Sequence, residues 1–157
     1  MSSITESLAA LETAAEALGA VDWEGLSVRD RLEALERLET VRRHGVARSS
    51  AIVASLDRCD ERTLGGICHL VIADVLRISL REARRRLRDA AQLSPRRSLT
   101  GEPVAPELPA TAEAWNSGVL DQDHLRAIQR FTRELPQGIH PAEVAKAESF
   151  LADKAAE

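Results

Sequence analysis

The sequence predicts an all-α protein, a multi-helix bundle that contains a helix-turn-helix-like unit. Alanine, leucine, arginine and glutamate dominate the 157 residues, and all four are strong helix formers. Two Phe, two Trp, no Tyr and few β-branched runs argue against sheets. Apolar residues recur at helical spacing in most segments between the glycines and prolines. These three observations together favour helices packed on helices.

We expect one helical domain over residues 1–157, because a chain of this length suits one domain with a real core. Four segments are distinguished within it. Residues 2–58 form long N-terminal helices, residues 63–93 form the helix-turn-helix-like unit, residues 94–109 form a proline-rich loop, and residues 110–157 form C-terminal helices.

Two N-terminal helices are predicted, over residues 3–19 and residues 27–56, with a connector around Trp23 between them. The second helix is predicted to be continuous because apolar residues keep helical phase across Gly45, which we expect to mark close approach of a neighbour. Such a helix suits a core strut or the seam of a homodimer. The residues that form the apolar stripes of the two helices are Ile4, Leu8, Leu11, Ala15, Leu18, Val28, Leu32, Leu35, Leu38 and Val41.

A polar link over residues 57–62 leads to two helices joined by a tight turn, the pattern of a helix-turn-helix unit. Ser79 and Glu82 form a Ser-x-x-Glu capping box at the start of the second helix. Ile78 is the apolar plug of the turn, and Arg77 occupies a position where glycine is common. The residues expected to face inward are Ile67, Leu70, Val71 and Val75 in the first helix, and Leu80, Ala83, Leu87 and Ala90 in the second.

Positive charge is concentrated in this second helix and the residues that follow it. From Leu76 to Leu99 there are eight arginines against Glu82 and Asp89, a net charge of +6, whereas the whole chain is −4 and the remainder is therefore −10. Arginine binds phosphates and guanine edges with a forked set of donors. The segregation of charge favours contact with nucleic acid, although a solvated helical face rich in a good helix former is the alternative.

The predicted DNA-binding residues lie on the outward flank of this helix and just beyond it. A helical wheel places four of them together, where they would enter the major groove, and three others would hold phosphates. The first set is Arg81, Arg85, Arg88 and Gln92, and the second is Arg84, Arg96 and Arg97.

The remaining segments are a loop and three helices. Four prolines and Gly101 keep residues 94–109 irregular. A short helix is predicted over residues 111–117 with Trp115 inside, and a longer one runs from a cap at Asp121 to about Leu135. The last helix spans residues 141–156. The residues expected to face inward in the last two helices are Leu125, Ile128, Phe131, Val144, Ala147, Phe150 and Leu151.

Several functional classes lack support. Cys59 and Cys68 are too few for a disulfide framework, and with His69 they lack the second ligand pair of a zinc site, so no metal is expected. No phosphate-binding glycine loop, metalloprotease helix or nucleophile motif is present, so no catalytic residue or cofactor is expected. No apolar run approaches the ~20 residues of a membrane helix. The N-terminus lacks a signal pattern, and we expect a cytoplasmic protein that contacts no membrane.

Four stretches together resemble a known family: residues 76–87, residues 99–103, residues 108–112, and Gly118 with the following residues to His124. The family is the domain of unknown function 222, also called the thirteen-E-twelve repeat family of high-GC bacteria. The likeness extends from about Leu32 to the end of the chain. It implies a helical fold and DNA binding, and it implies a C-terminal HNH endonuclease domain in most members.

An HNH site needs histidines and an asparagine around a ββα metal site. The four histidines of this chain, His44, His69, His124 and His140, lie in predicted helices or beside them, with no strand pair around them. We therefore expect no nuclease site in this chain, either because the catalytic part is removed or because this member never had it.

Two functional hypotheses follow. In the first, the chain is a non-catalytic module that delivers a partner or a nuclease to duplex DNA. In the second, it is a protein-interaction or oligomerisation domain without nucleic-acid contact, in which the helix over residues 27–56 is the seam of a homodimer and the arginines pair with acidic partner surfaces.

Overall fold

The computed structural model describes residues 2–98, 100–136 and 138–157. Its architecture is all-α, which confirms the predicted fold class. The helices are α1 (Ser2–Gly19), α2 (Val28–Leu56), α3 (Glu61–Leu64), α4 (Cys68–Leu76), α5 (Leu80–Leu93), α6 (Pro109–Asn116), α7 (Gln122–Glu134) and α8 (Pro141–Ala155). Two short strands, β1 (Arg96–Arg97) and β2 (Pro103–Val104), pair antiparallel in a register that sets Arg96 opposite Val104.

The chain divides into two compact units, residues 1–38 and residues 39–157. The first unit contains α1 and the beginning of α2. The apolar stripes predicted for these two helices are exposed in this unit. The large exposed side chains of this unit are Ile4, Leu8, Leu11, Leu18, Leu26, Val28, Leu32, Leu35 and Leu38.

The second unit has two hydrophobic clusters. One is centred on Trp115, Leu120 and Leu125 and takes in residues of α2, α5 and α7. The other joins the end of α2 to α4 and α5, with Val53 and Ala83 among its buried members. Small residues at the centre of the second cluster let the helices approach closely.

The helix-turn-helix-like unit forms as predicted, with α4 and α5 packed together. Ile78 plugs the turn against the second cluster, and Arg77 adopts the left-handed conformation (φ 51°) that ends α4. The buried face of α4 differs from the predicted one. Ile72 and Ala73 are buried. In contrast, Ile67, Leu70 and Val75 are exposed, and on α5 Leu80 is 45% exposed.

The long helix α2 confirms the prediction of one continuous helix across Gly45. The expected close neighbour at Gly45 is wrong, because a Cβ built there meets nothing within 4 Å among the described residues. The predicted polar link after α2 overlaps the first two residues of the short helix α3, which Asp60 caps by accepting from the backbone N–H of Thr63.

The proline-rich segment is mostly irregular, but it contains the β1–β2 ladder, which the sequence did not predict. Gly101 (φ 87°) makes the turn between the strands, and Pro109 already belongs to α6. Leu99, which falls in the predicted loop and in one of the stretches of family resemblance, lies outside the described residues.

The C-terminal helices occur close to their predicted bounds. The Asp121 carboxylate accepts from the backbone N–H of His124, whose ring closes a capping box at the start of α7. Leu125 and Ile128 are buried as expected, but Phe131 is 39% and Phe150 is 59% exposed, so those two predictions are wrong. In the part of the chain that the structure covers, no single helix combines the length and apolar character needed to cross a membrane.

Candidate nucleic-acid interface

The arginine-rich helix α5 begins at a side-chain cap. Ser79 Oγ accepts from the backbone N–H of Glu82 at 3.2 Å, which satisfies a donor at the helix start. The carboxylate of Glu82 binds Arg85 through both of its oxygens, at 2.8 and 2.6 Å, and Arg86 through one, at 2.9 Å. The start of α5 therefore holds two of its arginines in ion pairs.

Arg85 is engaged on both sides. Besides Glu82 it donates through Nη1 to Asp89 Oδ2, and 23% of its side chain is exposed. Hydrogen bonds from Arg85 and Arg86 lower the pKa of Glu82 to about 2. The Glu82 carboxylate in turn raises the pKa of Arg85 above its ordinary value. This guanidinium fixes carboxylates of its own helix instead of pointing outward.

Asp89 explains why that flank is turned inward. It is 7% exposed, and α7 supplies it with two amide donors, Gln122 Nε2 at 3.2 Å and Gln129 Nε2 at 3.0 Å. Gln129 also donates to Gln92 at 2.9 Å, and Gln92 donates to Glu107 at 3.3 Å. A buried charge needs such partners. The network therefore fastens α5 to α7.

This arrangement corrects the predicted outward flank of four residues. Arg85 and Gln92 lie within the α5–α7 network, whereas Arg81 and Arg88 are exposed. The burial of Asp89 is the physical reason, because it turns the flank of α5 that carries Arg85 and Gln92 toward α7.

What α5 does expose is a row that we call the arginine ridge, namely Arg81, Arg84 and Arg88. They follow i, i+3, i+7 spacing and so share one helical face, and all three are exposed. Within the described residues, no carboxylate pairs with any of these three arginines. Arg84 Nη2 lies within hydrogen-bond distance of His69 Nε2, at 3.3 Å. At about 1.5 Å per residue the ridge is roughly 10 Å long.

The two arginines of β1 have a partly structural role. Arg96 donates to the backbone carbonyl of Ala105 at 3.0 Å, and Arg97 donates to that of Gly101 at 3.3 Å. Both residues are exposed, and among the described side chains neither has a carboxylate partner. They hold the β1–β2 turn and keep their positive charge uncompensated.

A second basic surface, which the sequence analysis missed, lies on α7. Arg126, Arg130 and Arg133 are exposed and follow i, i+4, i+7 spacing, opposite the buried Leu125 and Ile128. This spacing was the signal available in the sequence. With Arg88 these residues line a groove of about 780 Å³, the α5–α7 groove. Its full lining is Arg85, Arg88, Asp89, Ala91, Gln92, Glu107, Leu108, Arg126, Gln129, Arg130, Thr132, Arg133 and Val144.

A smaller cavity of about 420 Å³ lies where α2, α5 and α6 meet, and Trp115 lines it. Its arginines are paired, since Arg42 and Arg43 bind Glu39 at 2.6 to 2.9 Å and lower the pKa of that carboxyl to about 2. The indole Nε1 of Trp115 is buried, and no acceptor among residues 2–98, 100–136 and 138–157 lies within hydrogen-bond distance of it. Because its cations are already compensated, this cavity offers an anion little attraction.

The cysteines and histidines form no metal site in the described part of the chain, where no three His, Cys, Asp or Glu side chains cluster suitably. Cys59 and Cys68 are free thiols. Burial raises the pKa of Cys68, so the thiol form predominates at neutral pH.

Comparison with known proteins gives one family and several relatives. The family described as "Domain of unknown function (DUF222)" matches residues 32–157. An uncharacterized protein of Mycobacterium tuberculosis is 38% identical over 153 residues, which cover 97% of this chain and 36% of that protein. A second from that organism is 41% identical, and one from Mycobacterium bovis is 39% identical, each over 83% of this chain and 59% of the relative. The chain thus spans 36% to 59% of the length of these relatives. No solved structure matches it.

Proposed function

The chain belongs to the DUF222 family, and we propose that it is a non-catalytic helical module that binds duplex DNA. The observation that supports this function is the arginine ridge. Three guanidinium groups stand on one exposed face of a capped helix, and no carboxylate among the described residues pairs with them. Guanidinium groups so placed match the phosphates along a groove and the acceptor edges of guanine.

The charge of the second unit supports the same function. The first unit has eight acidic and three basic side chains, a net charge of −5, whereas the second has 17 acidic and 18 basic side chains, a net charge of +1. Attraction to DNA therefore comes from local patches of the second unit, since the whole chain is anionic. Arg96 and Arg97 supply further phosphate contacts in this proposal.

We extend the proposal to the longer proteins of the family. The resemblance implies a C-terminal HNH endonuclease in most members, and the relatives are much longer than the matched segment. In such a protein this domain would bring the nuclease to DNA while supplying no catalytic residue itself. A module with this role would act in the cytoplasm.

The test compares two triple variants in a fluorescence-anisotropy titration with a labelled duplex of random sequence. Replacing Arg81, Arg84 and Arg88 by Gln should weaken binding at least about tenfold, because phosphate contacts are lost. The control replaces Arg29, Arg31 and Arg37 by Gln, which removes the same charge from exposed positions of the first unit. An equal loss of DNA affinity in both triple variants would exclude the arginine ridge as the DNA contact. So would the absence of DNA binding by the wild type at low salt.

Self-association is a second candidate function, favoured by the exposed apolar face of α1. Its stripe has alternating spacings of four and three residues, the pattern of a helix that packs against another helix. The stripe consists of Ile4, Leu8, Leu11, Ala15 and Leu18. A second copy of this chain would cover it, because the same stripe on both copies can form a symmetric seam.

Sedimentation velocity tests this second candidate. If copies associate through α1, the wild type should sediment as a dimer at micromolar concentration, and Leu8→Gln with Leu11→Gln should restore the monomer. The matched control is Ala9→Gln with Ala10→Gln, which changes exposed positions beside the stripe. A wild type that stays monomeric at high concentration would remove self-association.

A further inference from the structure

We infer that the backbone of bound duplex DNA lies along the α5–α7 groove, where Arg130 and Arg133 of α7 contact its phosphates. This inference rests on the proposed function and adds a second helix to the binding site. It starts from geometry, since Arg130 and Arg133 are exposed on the face of α7 that forms one wall of the groove, and Arg88 of α5 lines the other.

Positive side chains outnumber negative ones in the lining of the groove. Five arginines line it against two carboxylates, those of Asp89 and Glu107. Asp89 already accepts hydrogen bonds from Arg85, Gln122 and Gln129, and Glu107 accepts from Gln92. The acids of the groove are therefore occupied by neighbours of their own.

The arginines differ in how far they are compensated. Arg85 is bound by Glu82 and Asp89, and Arg126 pairs with Asp123 at 2.9 Å. Arg88, Arg130 and Arg133 have no carboxylate partner among the described residues. Three free guanidinium groups on two walls of one groove create a positive field that an anion would neutralise.

Arg88 belongs to both the arginine ridge and the groove, so the two basic surfaces are continuous along α5. An extended polyanion fits this layout better than a small anion. Arg126 to Arg133 spans about 10 Å along α7 at ~1.5 Å per residue. Each DNA strand presents its phosphates at regular intervals, so arginines spaced along this face of α7 can contact successive phosphates of one strand.

The network of hydrogen bonds between α5 and α7 links the two walls. Gln129 sits between Arg126 and Arg130 on α7 and hydrogen-bonds both Asp89 and Gln92 of α5. A fixed spacing between the arginines of the two helices reduces the ordering cost when a regular backbone binds.

The test measures the affinity for a 20-base-pair duplex between about 50 and 200 mM salt, a range in which phosphate contacts change binding strongly. The variant Arg130→Gln with Arg133→Gln should bind more weakly, and the slope of log affinity against log salt should fall by about 2, because each phosphate contact contributes about 1. Arg130→Lys with Arg133→Lys keeps both charges and should keep most of the slope. The matched control is Arg58→Gln with Arg62→Gln, two exposed arginines outside the groove.

The outcomes separate this inference from the proposed function. If the wild type binds duplex DNA and the Arg130/Arg133 Gln variant keeps its salt slope, the groove does not hold the backbone, while DNA binding by the ridge stands. If the wild type binds no DNA at 50 mM salt, both are overturned. If poly-glutamate competes as well as duplex DNA at equal charge and depends on the same two arginines, the groove belongs to an acidic protein partner, and the nucleic-acid assignment is overturned.

Discussion

Arg85 and Arg88 lie three residues apart on α5 and behave differently. Arg85 is held by Glu82 and Asp89, whereas Arg88 is exposed with no carboxylate partner among the described residues. The sequence places both on one flank of a helical wheel, and only the burial of Asp89 against α7 separates them. Burial of that carboxylate depends on Gln122 and Gln129, residues more than thirty positions away, so periodicity within α5 did not reveal it.

We expect Arg85→Gln to lower the free energy of unfolding by about 1–3 kcal/mol, because the buried Asp89 loses its charged partner. Arg88→Gln should change it by less than about 0.5 kcal/mol, as is usual at exposed positions. Urea denaturation followed by circular dichroism measures both. Similar decreases in the free energy of unfolding in the two variants would show that Arg85 has no special structural role.

Glu82 should make stability depend on acid pH. Its folded-state pKa of about 2 lies below the ordinary value of 4.5, so its contribution is complete above pH 4.5 and is lost as the pH falls toward 2. Glu82→Gln should lose at most about 1 kcal/mol at pH 7, since the pair is partly solvated, and its stability should fall less between pH 4.5 and 2. Glu39 titrates in the same range, so the difference between variant and wild type is the measurement. If stability falls equally with decreasing pH in the wild type and in Glu82→Gln, Glu82 does not stabilise the fold through its ion pairs.

At the scale of elements, the caps and helix breakers of the sequence predicted the bounds of the helices well. The apolar periodicity predicted less well which face of each helix is buried. Ser79 and Asp121 start α5 and α7 as predicted, because capping is a local interaction. Val75 of α4 and Phe150 of α8 belong to the predicted apolar sides and are nevertheless exposed, because tertiary packing decides which face a partner buries. The β1–β2 ladder is only two residues long on each strand, too short for a periodic signal.

The contact between α8 and α6 depends on a carboxylate that the sequence did not single out. Glu148 is 2% exposed, and its Oε1 accepts from the backbone N–H and the hydroxyl of Thr111 at 2.6 and 2.5 Å. Its Oε2 accepts from the backbone N–H of Ala110 at 3.3 Å. The carboxylate thus caps the start of α6, where backbone donors lack helical partners and the helix dipole favours negative charge.

We expect Glu148→Ala to cost about 2–4 kcal/mol of stability, because buried donors of α6 lose their acceptor. Glu148→Gln should cost less, since its amide oxygen still accepts. Glu143→Ala on the same helix is the control, because Glu143 is exposed. Thermal and urea unfolding measure the three variants, and equal stability of the Glu148→Ala and Glu143→Ala proteins would rule out the capping role.

For the whole molecule, the sequence predicted the all-α class and the concentration of positive charge near α5. It left open what covers the apolar stripes of residues 1–38, since a stripe of Leu8 and Leu11 looks the same whether a core or another copy covers it. The sequence also did not predict the basic face of α7, because Arg130 and Arg133 form a shared basic groove with Arg88 of α5 only in the folded chain. DNA binding by the second unit is the function that best fits this charge distribution.

The most direct test of that function is the salt dependence of duplex binding by the wild-type chain. Arg81, Arg84, Arg88, Arg130 and Arg133 should together displace counterions from three to five phosphates. The contribution of these five arginines to the slope of log affinity against log salt should then lie between about −2.7 and −4.5, at roughly −0.9 per phosphate on B-DNA. A slope near zero, or no binding at 50 mM salt, would contradict the proposal that these arginines form a DNA-binding surface.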